Sequence, residues 1–179
     1  MAENLNFEAG GKCYGEGGKV RDTNYNLITL STAEIQANCK QYGRLYNWET
    51  AMKSCLSGWH LPSKEEWEIL DKVVGGYYTA GKYLKTVSGW NYYEGKSGNG
   101  TDTYGFSALP GGGGYPGGSY DNVGNNGSWW SSSEGIRDDA FRRSMRYYGE
   151  HTHWYYISKR AFLSVRCLQN ATPPKGTAK

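Results

Sequence analysis

The segment from residue 135 to residue 161 holds most of the side chains that could make specific contacts with a ligand. It reads GIRDDAFRRSMRYYGEHTHWYYISKRA, in which Tyr, Arg, His and Trp are interspersed with Ser and Gly. Rigid amphipathic aromatic residues beside small polar ones are typical of antibody paratopes, and Tyr, Trp and Arg dominate binding hot spots. The composition favours a ligand-binding surface. An ordinary antiparallel sheet with tyrosines on its exposed face stays open as the alternative.

We expect a binding face built from the 115–128 loop and from the exposed side chains of 136–161. The residues predicted to contact a ligand are Tyr115, Tyr120, Asn122, Asn125, Asn126, Ile136, Arg137, Asp138, Arg142, Ser144, Arg146, Tyr148, His151, His153, Tyr155, Tyr156, Ile157 and Ser158. Arginines beside tyrosines could also track nucleic-acid phosphates and stack bases. The formal net charge of only +3 argues against that partner. We therefore expect a protein or another macromolecular ligand, and no nucleic acid.

No set of nucleophiles, carboxylates or histidines has the spacing of a catalytic site. The glycines at 111–114 lack the lysine of a phosphate-binding loop, and the chain has no nucleophile elbow. Glu65 and Glu66 fit a helix cap better than a pair of glycosidase carboxylates. His60 has apolar neighbours, which favours a structural role. The sequence predicts a protein that is not an enzyme, with no catalytic residue.

Metal binding has only weak support in the sequence. His151 and His153 are two residues apart, so a strand would place both on one face, but a solvated or ligand-contacting pair is the favoured interpretation. Oxygen donors for Ca²⁺ occur without EF-hand spacing, and Asn and Asp are also common in turns. These donors are Asp102, Asp121, Asn122, Asn125 and Asn126. We predict no cofactor, and a structural calcium ion stays open.

Length and composition indicate one folded domain. The chain has 179 residues, with 26 Gly, 16 Tyr, 7 Trp and 4 Phe. Disordered chains are poor in aromatic residues, and a run of about 18 apolar residues, as a membrane span needs, is absent. We expect a single domain over 1–170, with 1–41 as an N-terminal extension and 171–179 as a flexible tail.

The elements that must position these residues can be predicted in part. Capping boxes predict helix starts at Ser31 with Glu34 and at Ser63 with Glu66, and a short helix is expected over Trp48–Ser54. The side chains of the Ser63 helix that should face the core are Trp67, Leu70, Val73 and Val74. The Gly-rich stretch 95–127 predicts a long irregular loop. Short antiparallel strands are expected at 129–133, 140–148, 153–157 and 162–168, the last one half-buried.

Four cysteines without metal-site spacing indicate two disulfides and an oxidising compartment. Three pairings are open. We favour Cys13–Cys39, which would fasten the N-terminal extension, and Cys55–Cys167, which would join the first helical region to the last strand. Four reduced, buried thiols are the alternative. The polar N-terminus lacks the apolar region of a signal peptide, which is compatible with a cytosolic protein or with one whose leader has been removed. Because the cysteines indicate disulfides, we expect the second, a protein outside the cell or at its surface.

Five motifs in order resemble the Fibrobacter succinogenes major paralogous domain over about 42–170. They are YGRLYNW at 42–48, GWHLPS at 58–63 followed by EW at 66–67, GFSALPG at 105–111, WWSSSE at 129–134 and SVRC at 164–167. KCY at 12–14 with NC at 38–39 resembles the N-terminal extension of that family. The resemblance implies an α+β, C-type lectin-like fold of the formylglycine-generating-enzyme branch. It also implies two helices with a small twisted antiparallel sheet and long irregular loops, a secreted or surface-anchored bacterial protein, and the Cys55–Cys167 pairing.

Catalysis and calcium-dependent sugar binding do not follow from the resemblance. Formylglycine-generating enzymes use a pair of cysteines near the C-terminal end, where this chain has only Cys167. The Glu-Pro-Asn, Gln-Pro-Asp and Trp-Asn-Asp motifs of true C-type lectins are absent.

The chain also resembles the variable proteins of diversity-generating retroelements, lectin-fold domains of gut bacteria and their phages. In those proteins the mutation of template adenines turns Asn codons into a restricted set of residues. Positions that fit the set are Ile136, Arg142, Ser144, Arg146, Tyr148, Gly149, His151, His153, Tyr155, Tyr156, Ile157, Ser158 and Ala161. Phe162-Leu163 departs from the Gly-Phe usual before SVRC. The resemblance implies a receptor- or adhesin-type domain on a cell or phage particle with a hypervariable face. The alternatives are a constant carbohydrate-adhesion module or an enzyme related to formylglycine generation.

Overall fold

The computed structural model describes residues 3–171, so the predicted tail lies outside the described residues except for Ala171. Within this range the chain is a mixed α/β domain with four helices, not the two that the resemblance implied. The helices are α1 (Thr32–Tyr42), α2 (Trp48–Ser54), α3 (Lys64–Val73) and α4 (Ala80–Leu84). None of these helices has the length and apolar character needed to cross a membrane.

Thirteen strands connect and surround the helices within residues 3–171. They are β1 (Lys19–Arg21), β2 (Leu27–Ile28), β3 (Leu45–Tyr46), β4 (Trp59–His60), β5 (Tyr92–Tyr93), β6 (Lys96–Ser97), β7 (Gly111–Tyr115), β8 (Ser119–Val123), β9 (Asn126–Glu134), β10 (Asp139–Arg146), β11 (Thr152–Ser158), β12 (Leu163–Ser164) and β13 (Leu168–Gln169). The main sheet has the order β11-β10-β9-β12-β3, and a second sheet has the order β2-β1-β8-β7. The pairs β4–β13 and β5–β6 form two small sheets.

Both predicted capping boxes are confirmed. The Ser31 hydroxyl accepts a hydrogen bond from the Glu34 amide, and the Glu34 carboxylate accepts one from the Ser31 amide; Ser63 and Glu66 do the same at α3. Helix α2 has the bounds that the sequence predicted. The prediction for Val73 was wrong, because its side chain is 69% exposed. Residues 67, 70 and 74 follow one helical stripe, and position 73 lies off it.

The two faces of β9 contact different parts of the core. Trp130 packs with Tyr46 and Trp48, between the sheet and α2. Its neighbour Trp129 points to the opposite face and packs with Trp67 of α3. Because successive side chains of a strand point to opposite faces, the Trp-Trp pair ties both helices to one strand. This packing makes the main sheet the central layer of the domain.

The Gly-rich stretch is not an irregular loop throughout, so that prediction was wrong for residues 111–123. These residues form the hairpin of β7 and β8, with Gly114 opposite Tyr120. A Cβ atom at position 114 would lie 2.7 Å from the Tyr120 ring, so only glycine lets the ring lie flat against the strand. The glycines form a strand here because their missing side chains leave room for neighbouring rings, a cause that periodicity does not reveal.

The predicted C-terminal strand was also wrong in form, because residues 164–167 are all buried and the strand is split into β12 and β13. Arg166 interrupts the alternation. Its Nε donates to Asn4 Oδ1 over 2.8 Å, and its Nη2 donates to the Ser107 carbonyl over 2.8 Å. These hydrogen bonds satisfy a buried guanidinium and fix the segment inside the domain.

Both favoured disulfide pairings are confirmed. Cys13 is bonded to Cys39 of α1, and Cys55, which follows α2, is bonded to Cys167. The Cα atoms of the two pairs are 4.9 Å and 5.8 Å apart. The N-terminal residues are part of the domain, since Leu5 lies in the core and β1 pairs in parallel with β8.

Candidate ligand-binding face

One face of the paired strands β10 and β11 is open and rich in arginine and tyrosine. Directly opposite residues share a face, and Arg142 is opposite Tyr155 while Ser144 is opposite His153. Arg146 lies two residues beyond Ser144 and therefore on the same face. Two further tyrosines complete this surface: Tyr148, in the turn after β10, bonds to Arg146, and Tyr115, at the end of β7, is close enough to Arg142 to interact with its charge. We call it the Arg–Tyr face and define it as Tyr115, Arg142, Arg146, Tyr148, His153 and Tyr155.

The two arginines are held by aromatic rings. Arg146 Nη2 donates to the Tyr155 hydroxyl over 2.6 Å, and Nη1 donates to the Tyr148 hydroxyl. The Arg146 guanidinium lies 5.0 Å from the centroid of the Tyr155 ring, and that of Arg142 lies 5.3 Å from the same ring. Cation–π contacts of this kind orient the guanidinium planes. Tyr155 therefore fixes both arginines before any ligand arrives.

The arginines of this face form no ion pair among the described residues, although Asp121 acts electrostatically on Arg142 from a greater distance. Within residues 3–171, no carboxylate oxygen lies within 4 Å of the Arg142 or Arg146 guanidinium. Arg142 donates to Ser128 Oγ over 3.3 Å, but its buried Nε has no partner among the described residues. Burial lowers the pKa of Arg142, and the like charge of Arg146 adds to this shift. An acidic group from outside could bind here, since an arginine fork matches a carboxylate.

A cluster of tyrosine and histidine rings extends the face past the edge strand β11. His153 stacks on Tyr155 with ring centroids 5.9 Å apart. It also forms an edge-to-face contact with Tyr77, with ring centroids 6.0 Å apart. The ring centroid of His151 lies 5.9 Å from that of Tyr77 and 5.4 Å from that of Tyr78. Burial lowers the pKa of His153, and Arg146, His151 and Arg143 lower it further. These effects favour the neutral form of the His153 imidazole, which offers packing and hydrogen bonding.

Around the turn that follows β10, away from the edge strand β11, three tyrosines continue the Arg–Tyr face. Tyr93 of β5 contacts Tyr147 and Tyr148, each with centroids 5.6 Å apart, and those two rings lie 5.4 Å from each other. Sequence reasoning missed Tyr77, Tyr78, Tyr93 and Tyr147. The signal that could have found the first three is the pairing of tyrosines, at 77–78 and 92–93, in segments without a helical pattern.

Lys85 holds the turn that carries Tyr147 and Tyr148. Its side chain is only 3% exposed. The Nζ atom donates to the carbonyls of Arg146 and Gly149 over 3.2 Å and 3.0 Å, and it lies 5.0 Å from the centroid of the Trp90 ring. Burial lowers the pKa of Lys85 to about 8, and Glu150 opposes the shift. The turn is thus fixed through its main chain, which leaves its side chains free to face outward.

Two predicted contact residues are buried, and those predictions were wrong. Tyr120 packs beneath the β7–β8 hairpin, and its hydroxyl donates to the Glu16 carbonyl over 2.8 Å. Ser144 lies between two strands, where its hydroxyl bonds to the Gly127 carbonyl over 3.2 Å and lies 3.1 Å from Ser128 Oγ. Both side chains satisfy internal groups and cannot reach a ligand at the surface.

Two more predicted residues of β11 are not part of the open surface, for different reasons. Tyr156 is exposed, but it points to the opposite side of the sheet, where its ring lies 4.5 Å from that of Phe141. Ile157 is on the same face of β11 as Tyr155, but it lies beyond the open part of that face and packs partly buried against the core around Trp130. Three consecutive residues cannot share one face of a strand, so a composition-based set necessarily includes some residues of the wrong face.

The remaining predicted residues lie at the two ends of the sheet. Ile136, Arg137 and Asp138 form the exposed β9–β10 turn, and Ser158 is opposite Asp139 at that end. The asparagines at 122, 125 and 126 lie at the other end, where Asn126 is opposite Arg146. The structure thus brings the asparagines close to the Arg–Tyr face and separates 136–138 from it.

No group of three or more His, Cys, Asp or Glu side chains that could hold a metal ion occurs among residues 3–171. His151 and His153 are 6.0 Å apart between ring centroids and contact tyrosines. The Asp102 carboxylate accepts from Ser107 N and Oγ, each over 2.7 Å. The contacts seen for these residues are structural or belong to the aromatic surface.

Comparison with known proteins gives one match. The family model described as the Fibrobacter succinogenes major domain matches residues 1–169. No curated protein and no solved structure matches the chain. The match confirms the resemblance seen in the sequence motifs, and it includes residues 1–41 as part of the same unit.

Proposed function

The chain belongs to the Fibrobacter succinogenes major domain family, and from this premise we propose that it is a non-enzymatic receptor-type domain that binds a protein ligand through the Arg–Tyr face. The observation that carries the proposal is the pair Arg142 and Arg146, which lack a carboxylate partner among the described residues and are oriented by the Tyr155 ring. The ligand we propose is a protein surface that presents an acidic side chain among apolar ones.

The Arg–Tyr face is preorganised for binding. Arg146 already bonds to the hydroxyls of Tyr148 and Tyr155, so little side-chain entropy is lost when a ligand binds. Aromatic rings with two χ angles add large contact area at low entropic cost. A carboxylate that replaces water at the two guanidiniums would lie at the centre of this surface, surrounded by rings that exclude solvent, which is the usual arrangement of a hot spot.

We extend the proposal to the fold and to the origin of the face. We infer a C-type lectin-like fold of the formylglycine-generating-enzyme branch, and we propose that β10 and β11 carry the variable positions of a diversity-generating-retroelement protein. In β10 and β11 the buried residues Ala140, Arg143, Met145 and Thr152 lie among partly exposed side chains, which supports this division of roles. The gene should then lie beside a reverse transcriptase and a near-identical template repeat that differs at adenines. A neighbourhood lacking both would leave a constant adhesin.

The proposed location is outside the cell, on a cell surface or a phage particle. Two disulfides support an oxidising compartment, because such bonds are rare where thiols are kept reduced. A related formylglycine-generating enzyme would need reactive cysteines, whereas no free cysteine occurs within residues 3–171.

The test uses a photo-crosslinking amino acid at two positions of the same molecule. Placed at 148, on the Arg–Tyr face, it should crosslink one partner from a mixture of extracellular proteins. Placed at 156, on the opposite side of the sheet, it should capture much less. The captured protein is then titrated against purified variants by biolayer interferometry.

We expect Tyr155→Ala and Arg146→Met each to weaken binding by about 2 kcal/mol, or roughly 30-fold, as hot-spot truncations do. Tyr156→Ala is the matched control, an exposed tyrosine next in sequence on the other face, and should change affinity less than about twofold. Equal crosslinking from both positions, or equal loss in the control, would show that the Arg–Tyr face is not the binding site.

A further inference from the structure

A second concave surface lies beside the Arg–Tyr face, on the side of the N-terminal strands. It is a groove of about 850 Å³ between the β1–β2 turn, helix α1 and the β8–β9 turn. We propose that this groove binds the end of a neutral oligosaccharide, as a site separate from the Arg–Tyr face. Two exposed tyrosines, a pair of asparagine amides and the charge of the walls support the assignment.

The tyrosines are Tyr25 and Tyr92, whose side chains are 78% and 70% exposed. Flat rings that stand free at the rim of a groove can stack on the C–H face of a sugar ring while its hydroxyls point to polar groups. Tyr92 and Tyr93 are adjacent in β5, so they point to opposite sides, and only Tyr92 belongs to this groove. Tyr147 lies between the two surfaces and lines both, whereas Tyr25 and Tyr92 belong to the groove alone.

The Tyr25 backbone is held in an unusual conformation. Its φ angle is +63°, which residues other than glycine rarely adopt. The Asp22 carboxylate accepts hydrogen bonds from the amides of Asn24 and Asn26 over 2.9 Å and 2.8 Å, and Arg21 Nη1 donates to the Tyr25 carbonyl over 3.1 Å. These hydrogen bonds hold the turn in place despite the unfavourable φ angle of Tyr25. A bulky aromatic side chain in a strained turn points to a use for that side chain, since glycine would fit better.

The polar groups of the groove suit hydroxyl pairs. Asn91 Nδ2 donates to Asn125 Oδ1 over 3.0 Å. This bond leaves the Asn91 amide oxygen and the Asn125 amide nitrogen without a side-chain partner among residues 3–171. Asn38 Nδ2 donates to the Tyr14 carbonyl over 3.3 Å, so its oxygen remains an acceptor. The groove therefore offers amide acceptors and an amide donor, which suit sugar hydroxyls because each hydroxyl both donates and accepts.

The charges of the groove favour a neutral ligand. Three carboxylates, of Asp22, Glu34 and Asp121, line it against one guanidinium, that of Arg21. An anionic ligand would be repelled by this excess. A cation would find the carboxylates already engaged, because Asp22 accepts from its own turn and Glu34 accepts from the Ser31 amide and hydroxyl over 2.7 Å each. A neutral polyol is not repelled by the excess of carboxylates, and it does not need a free carboxylate as a partner.

The experiment is saturation-transfer NMR of the full chain with four neutral trisaccharides: maltotriose, cellotriose, chitotriose and mannotriose. Trigalacturonic acid is the anionic comparison and trilysine the cationic one. We expect saturable binding of at least one neutral trisaccharide and none of the two charged probes. Absence of binding by all four neutral sugars, or displacement of a bound sugar by trilysine, would overturn the proposal.

Variants locate the site. Tyr25→Gly suits the positive φ and so preserves the turn, yet it removes the ring, and it should weaken sugar binding about tenfold. Tyr92→Ala should do the same. Tyr104→Ala, an exposed tyrosine outside the groove, and Tyr155→Ala, on the Arg–Tyr face, should leave sugar binding unchanged. Equal loss in the Tyr104 or Tyr155 variant would place the sugar elsewhere and refute the assignment.

Discussion

Arg142 and Arg143 are neighbours in β10, yet they face two different environments. Arg143 is fully buried and forms an ion pair with Asp71 of α3, and its guanidinium lies 4.7 Å from the centroid of the Trp154 ring. The Thr152 hydroxyl also donates to Asp71 Oδ1 over 3.1 Å. Arg142, on the other face, has no carboxylate within 4 Å among the described residues. The same residue type thus serves packing on one face and leaves its charge available on the other.

The comparison teaches that side-chain parity along a strand, rather than residue type, decides what an arginine does. A buried ion pair fixes the orientation of α3 on the sheet, because removing either partner would leave an uncompensated charge inside. The open face carries no such constraint. A change there alters charge and shape at the surface and leaves the packing of helix on sheet intact.

The largest expected effect comes from breaking the buried pair. Asp71→Asn removes the counter-charge of Arg143 and should lower the free energy of unfolding by about 3–5 kcal/mol, measured by chemical denaturation. Arg142→Met, of similar length on the opposite face, is the control and should change it by less than about 1 kcal/mol. Similar losses in both variants would show that the two faces do not differ as described.

The next effect concerns Lys85, a buried cation whose oxygen partners are main-chain carbonyls. Its pKa is lowered to about 8 from 10.5, so its contribution to stability is complete above pH 10.5 and is lost as pH falls towards 8. Relative to Lys85→Met, the wild type should therefore gain about 2 kcal/mol of unfolding free energy between pH 8 and pH 10, since one pKa unit is worth about 1.4 kcal/mol. Parallel pH profiles of the two proteins in denaturant titrations would contradict this.

The smallest effect tests the charge of the open face. NMR titration of His153 should give a pKa below 6.5, because the ring is partly buried and lies near Arg146. A lowered pKa means that His153 supports stability above pH 6.5 and loses that contribution as pH falls. Arg146→Met should raise the pKa of His153 by less than about one unit. A pKa that does not respond would mean that the Arg146 charge is not felt across the face.

Local signals allowed part of this fold to be predicted. The capping boxes that begin at Ser31 and Ser63 each depend on four consecutive residues. The position of α2 depends on the seven residues of that helix. Three disulfide pairings were open; the two that formed were favoured because they fasten distant segments, and the family resemblance also implied Cys55–Cys167. The glycine hairpin at 111–123 could not be predicted, because its cause is the approach of the Tyr120 ring from another strand.

The sequence predicted which segments form the proposed binding surface. It did not predict which side chains of those segments lie on the open face. Arg142, Arg146, His153 and Tyr155 do share a face, but the pairing of β9 with β10 shifts register between Ala140 and Arg142. Such a shift is a tertiary feature, and the parity of a strand cannot be read from composition. Tyr77 and Tyr93 join the surface from segments far away in the chain. Only folding brings them there.

Lys85 has one more consequence, for protein engineering. It holds the 146–149 turn by bonding to carbonyl oxygens, which every amino acid supplies. A combinatorial library randomised at 147 and 148 would therefore keep the anchor in every clone. Together with substitutions at 142, 146, 153 and 155, such a library offers many surfaces on one stable frame, and the domain could serve as a small display scaffold for selecting new binders.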